Sequence, residues 1–85
     1  MNTSAKAFRF DDSTLWVDLQ DGRTVGVPIA WFPRLLNATP QQRSDGKISG
    51  FGQGLHWEAL DEDISVPGLL AGRGDMTHQH SAAAE

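Results

Sequence analysis

The chain contains no cysteine at all. Disulfides, thiolate metal sites and a cysteine nucleophile are therefore excluded, and the fold must rest on apolar packing alone. No apolar run reaches the ~18 residues that a membrane-spanning helix needs. Met1 to Phe10 lacks the apolar stretch of about seven residues that a secretory signal requires. A cytoplasmic location is expected. Basic residues are scarce, seven Lys and Arg against eleven Asp and Glu, for a net charge of −4. Affinity for phosphate backbones comes from clustered Lys and Arg, so nucleic-acid binding by this chain alone is disfavoured.

What remains is 85 residues, 39 % of them hydrophobic. That is one small domain with a thin core. Every aromatic residue lies between Ala5 and Gly72, which sets a single α+β domain over 5–72. From Arg73 to Glu85 the only large apolar residue is Met76, so 73–85 is expected to be a disordered tail. His78 and His80 in that tail could hold a metal ion only weakly, because a structural zinc site closes with four ligands. No metal or other cofactor is expected.

The first half alternates with period two. Phe8 and Phe10, then Leu15, Val17 and Leu19, then Val25, Val27 and Ile29 predict a three-stranded antiparallel meander. Register can be argued from the faces. A two-residue Asp21-Gly22 turn would set the aliphatics of the second and third strands on opposite faces. A three-residue loop, Gln20-Asp21-Gly22, pairs Val17 with Val25 and Leu15 with Val27, with Gly22 left-handed. Trp16 then lies opposite Gly26 on the other face. The same reasoning pairs Phe10 with Leu15 and Phe8 with Val17.

Trp31, Phe32, Leu35 and Leu36 recur at helical spacing, so one main helix is expected at about 31–38, packed on the sheet, with Pro33 in its first turn. Thr39-Pro40-Gln41-Gln42 reads as a capping box opening a short helical turn to about Ser44. Two further short strands are expected at Ile48–Gly50 and Leu55–Trp57, around a glycine-rich turn. Ser65 to Leu70 suggests a last helical turn, ended by Gly72.

The groups able to do chemistry are few. Glu58, Asp61, Glu62 and Asp63 place four carboxylates within six residues. Their spacing is not that of a calcium loop. They read as a solvated acidic segment or as a docking surface for a basic partner, since surface charge sets association rate and selectivity. His56 and Glu58 would share a strand face and could supply acid–base chemistry, but no activated nucleophile accompanies them. Gly50, Gly52 and Gly54 precede no helix start and read as turn geometry rather than a phosphate loop. Trp16, away from the aliphatic face, is a candidate apolar anchor, because tryptophan is favoured at binding hot spots.

Three stretches carry a resemblance: Leu15–Arg23, Val27–Thr39 with its Pro-Ile-Ala-Trp-Phe-Pro-Arg-Leu run, and Gly54–Val66 with Trp-Glu-Ala-Leu-Asp-Glu-Asp-Ile. Together, over roughly residues 6–72, they resemble the bacterial domain-of-unknown-function family numbered 2442. The resemblance implies an α+β fold, no established catalytic residues, and members encoded beside small toxin-like partners. Some members carry an added helix-turn-helix domain. The segment after Gly72 is too short for one, so autorepression is not expected here.

The resulting expectation is a non-catalytic protein-interaction module, antitoxin-like, that binds a small basic protein through Asp61, Glu62 and Asp63, with Trp16 as a second contact. The alternatives are a nucleic-acid-binding regulator, which needs Arg34, Arg43 and Lys47 on one face, and a small enzyme built on His56 and Glu58. A homodimer through a sheet edge or through Trp16 is also compatible with the sequence.

Overall fold

A computed structural model describes residues 3–72. Strands β1 (Ala5–Phe10), β2 (Thr14–Leu19) and β3 (Thr24–Pro28) form an antiparallel sheet in the order β1-β2-β3. The observed pairs are Phe8 with Val17, Phe10 with Leu15, Val17 with Val25, and Leu15 with Val27. This is the register that segregates the aliphatic faces. Leu15, Val17, Leu19 and Val27 are all buried. Gly22 takes φ +96°, and the loop closes with Leu19 N–H donating to Arg23 O at 2.8 Å. Trp16 faces Gly26, where a Cβ would lie 2.5 Å from the indole ring. Only a glycine leaves room for that ring. One irregularity is new: the register slips between Ala5 and Ala7, leaving Lys6 as a bulge at the start of β1.

The expected helix at 31–38 is shorter and broken. A 3-10 turn covers Ile29–Trp31, and helix α1 runs only over Pro33–Leu36. The reason is Pro33, whose ring disfavours helical backbone in the residue before it. Phe32 accordingly sits at φ −127°, ψ 89°, and Pro33 becomes the first helical residue. Phe32 and Leu35 still reach the core, whereas Leu36 remains half exposed.

Helix α2 (Pro40–Ser44) carries the complete capping box: Gln42 N–H donates to Thr39 Oγ1 at 3.1 Å and Thr39 N–H to Gln42 Oε1 at 2.9 Å. Strands β4 (Lys47–Ser49), β5 (Gly54–Trp57) and β6 (Glu62–Ser65) make a second antiparallel sheet in the order β4-β5-β6. β6 extends the expectation of two short strands there: the acidic segment itself pairs with β5, Trp57 opposite Glu62 and Leu55 opposite Ile64. Helix α3 (Val66–Leu70) follows, capped by Ser65 Oγ, which accepts from Gly68 N–H at 3.1 Å.

The two sheets share one core around Trp57, which is 1 % exposed. Phe8 and Phe10 meet its ring edge-on at 5.5 and 6.2 Å between centroids. Its Nε1 donates to Arg43 O at 2.7 Å. Gly46 lies against the indole, where any Cβ would clash at 2.4 Å. The fold is α+β, with most of its regular structure in strands. His78, His80 and the rest of the segment 73–85 lie outside the described residues.

Candidate functional site

The β5–β6 connection positions the acidic residues. Asp61 N–H donates to Glu58 O at 3.1 Å, closing the turn, and Asp61 itself is left-handed at φ +52°. Aspartate tolerates that region better than most residues. The guanidinium of Arg34, on α1, anchors the turn from beneath: Nη1 donates to Asp61 O and lies 3.6 Å from Glu62 Oε1. α1 and the turn are thus tied together although 27 residues separate their sequence positions.

This geometry splits the acidic segment. Strand alternation sends Glu62 inward with Ile64 and Asp63 outward. Glu62 is only 4 % exposed, beside Arg34, so its expected role in partner contact is corrected: it is an interior carboxylate with an internal ion pair. Glu58, Asp61 and Asp63 face solvent. Asp63 has a neighbour of its own, for His56 Nδ1 lies 2.6 Å from Asp63 Oδ1 across the strand pair. The carboxylate beside His56 is therefore Asp63 and not the expected Glu58, which falls past the end of β5. No sequence-local signal marks this contact, because it depends on the β5–β6 register.

Trp16 stands apart, on the outer face of the first sheet. Its ring covers Gly26 and its Nε1 donates to Asp11 Oδ2 at 2.9 Å. That bond, with the N–H groups of Ser13 and Thr14, holds the Asp11 carboxyl below the usual carboxylate range. Trp16 is half-buried, with its polar atom already engaged.

Among the described residues no arginine is left as a free positive charge. Each of the four is engaged by its own chain: Arg9 by Asp18, Arg23 by Asp21, Arg34 by the β5–β6 turn, and Arg43 by the carbonyls of Leu35 and Leu36. Among the described residues no group of three or more His, Cys, Asp or Glu is placed to hold a metal ion. No helix among them is long and apolar enough to cross a membrane.

A second surface has no counterpart in the sequence reading. A groove of about 830 Å³ runs between β1 and the pair formed by α2 and β4. Phe8, Phe10, Pro40 and Ile48 give it apolar walls, and Asp12 and Arg43 are among its charged lining residues. His56 and Asp63 are not part of it.

The comparisons agree with this architecture. The model of the family described as "Protein of unknown function (DUF2442)" matches residues 5–75. A crystal structure of a protein of unknown function from Rhodospirillum rubrum ATCC 11170 is 39 % identical, with a TM-score of 0.76, over 86 % of this chain and 90 % of that one. A solution structure of an uncharacterised protein from Chromobacterium violaceum is 26 % identical, with a TM-score of 0.77, over 93 % of this chain and 75 % of that one. No curated protein matches the sequence.

Proposed function

The chain belongs to the DUF2442 family, and from that premise we propose that it is a non-catalytic protein-interaction module. Its finer role in this reading is antitoxin-like: it covers a small basic protein in the cytoplasm by mass action. The observation that carries the reading is the β5–β6 turn. Arg34 fixes its backbone and accompanies the interior Glu62, leaving the Glu58, Asp61 and Asp63 carboxylates outward on a rigid support. Preset charges of one sign steer a basic partner and reject acidic ones without an ordering cost at binding.

Capture of partners on the tagged full chain at moderate salt tests this. One stoichiometric small basic protein, released by high salt, is the expected result. The variant Asp61→Asn with Asp63→Lys should weaken that complex by roughly tenfold or more while leaving the fold intact. Asparagine is chosen at position 61 because it tolerates the left-handed backbone there. Recovery of the chain without a basic protein, or a complex indifferent to the double variant, would overturn the reading.

A further inference from the structure

β1 has one edge on β2 and one edge on which, among the described residues, no strand pairs. Asp11 N–H donates to Thr14 O at 3.0 Å. Antiparallel alternation then directs the backbone groups of Arg9 toward β2 and those of Phe8 and Phe10 away from it. The outward groups open onto the groove, whose wall on this side is the unbroken run Ala7 to Asp12. An unpaired edge of this kind is a template for another strand.

The charges along β1 indicate which strand. Arg9 is engaged by Asp18 at 2.9 Å, Asp11 by Trp16, and Arg43 by two carbonyls. Lys6, at one end, makes no hydrogen bond or ion pair among the described residues beyond the field it exerts on Asp18. Asp12, at the other end, makes none either. The strand thus carries an uncommitted cation at its start and an uncommitted anion just past its finish, a pattern complementary to itself when reversed.

We propose that the free edge of β1 pairs with β1 of a second copy of this chain, antiparallel, about a two-fold axis at Arg9. Outward backbone groups must meet outward backbone groups, which restricts the register to steps of two. Bringing the bulged Lys6 end of β1 beside the partner's β1–β2 turn, where Asp12 lies, selects one of them, with Phe8 opposite the partner's Phe10. The two three-stranded sheets become one of six strands. The other end of the sheet is less suited, because β3 closes with Pro28, which has no N–H to give. At the axis the two Arg9 side chains are each countered by their own Asp18. Phe51 adds an apolar contact: it is fully exposed, and Gly52 beside it packs on Ser4 and Ala5 at the start of β1. Antiparallel pairing carries it toward the partner's Asp12, at the far end of that copy's β1. This surface is separate from the acidic turn, so either can fail without the other.

Sedimentation equilibrium of the full chain, with charge reversals, tests the proposal. Wild type should show a concentration-dependent mass rising toward twice 9.3 kDa. Lys6→Asp alone and Asp12→Lys alone should each weaken the dimer by about tenfold or more, since like charges then face each other at both ends. An equimolar mixture of the two variants should recover it, because both end contacts become opposite-signed again. Amide exchange should slow at Phe8 and Phe10 as protein concentration rises. A wild-type chain that stays monomeric to roughly 1 mM would overturn the proposal. So would a dimer untouched by either reversal, or reversals that the mixture does not rescue.

Discussion

The two sheets are each antiparallel, three-stranded and sequentially connected, yet they are built differently. In β1-β2-β3 every inward position of β2 is aliphatic and the turns follow ordinary loop chemistry. In β4-β5-β6 the inward set includes a carboxylate, Glu62, and the connections carry left-handed residues at Gly50, Phe51, Gly52 and Asp61. The first sheet needs only segregation of apolar from polar residues. The second needs particular partners: Arg34 for Glu62, and Arg43 and Gly46 for Trp57. A pattern of residue types specifies the one; contacts between distant positions specify the other.

The largest effect should come from removing what joins them. Trp57→Ala takes away the ring shared by Phe8, Phe10, Gly46 and Arg43, at a cost of about 3–5 kcal/mol. In a domain this small that approaches the whole stability, so loss of the cooperative thermal transition is expected by circular dichroism. A smaller effect isolates the second sheet. Arg34→Met leaves the Glu62 carboxylate without its cation and frees Asp61 O. A destabilisation of about 1–3 kcal/mol is expected in urea titration. Combining it with Glu62→Gln should recover part of that loss.

These contrasts explain what could be read from the sequence. The meander, its register and the Gly26 contact with Trp16 follow from period-two alternation, because one apolar face leaves a single consistent alignment. The capping box at Thr39 is likewise local chemistry. β6 is hidden because Glu62 occupies an inward position, so Glu62-Asp63 reads as a solvated acidic run. The His56–Asp63 contact and the groove beside β1 depend on how distant segments meet, which no local pattern states. The helix boundary differs for a local reason, the constraint Pro33 puts on Phe32.

The first sheet also brings a response to acid. Three carboxyls of the β1-β2-β3 region are held below their ordinary range: Asp11 by Trp16, Asp18 by Thr24 and then Arg9, and Asp21 by the backbone of Arg23. A depressed folded-state pKa contributes stability above the unfolded value, near 3.9, and that contribution is lost as pH falls through the folded value. Melting temperature should therefore decline below about pH 4, and Asp18→Asn should flatten the decline. The smallest effect lies at Phe51, fully exposed at φ +57°. Phe51→Asn should raise stability by a few tenths of a kcal/mol at most, because asparagine adopts that backbone at lower cost, measurable as a small shift in urea midpoint.

The sequential order of both sheets has a kinetic consequence. Each strand pairs only with its neighbour in the chain, so every ladder closes over a short loop and none waits for a remote segment. Low loop-closure entropy favours rapid refolding. Docking of the two meanders around one indole is the step expected to limit refolding, measurable by stopped-flow tryptophan fluorescence.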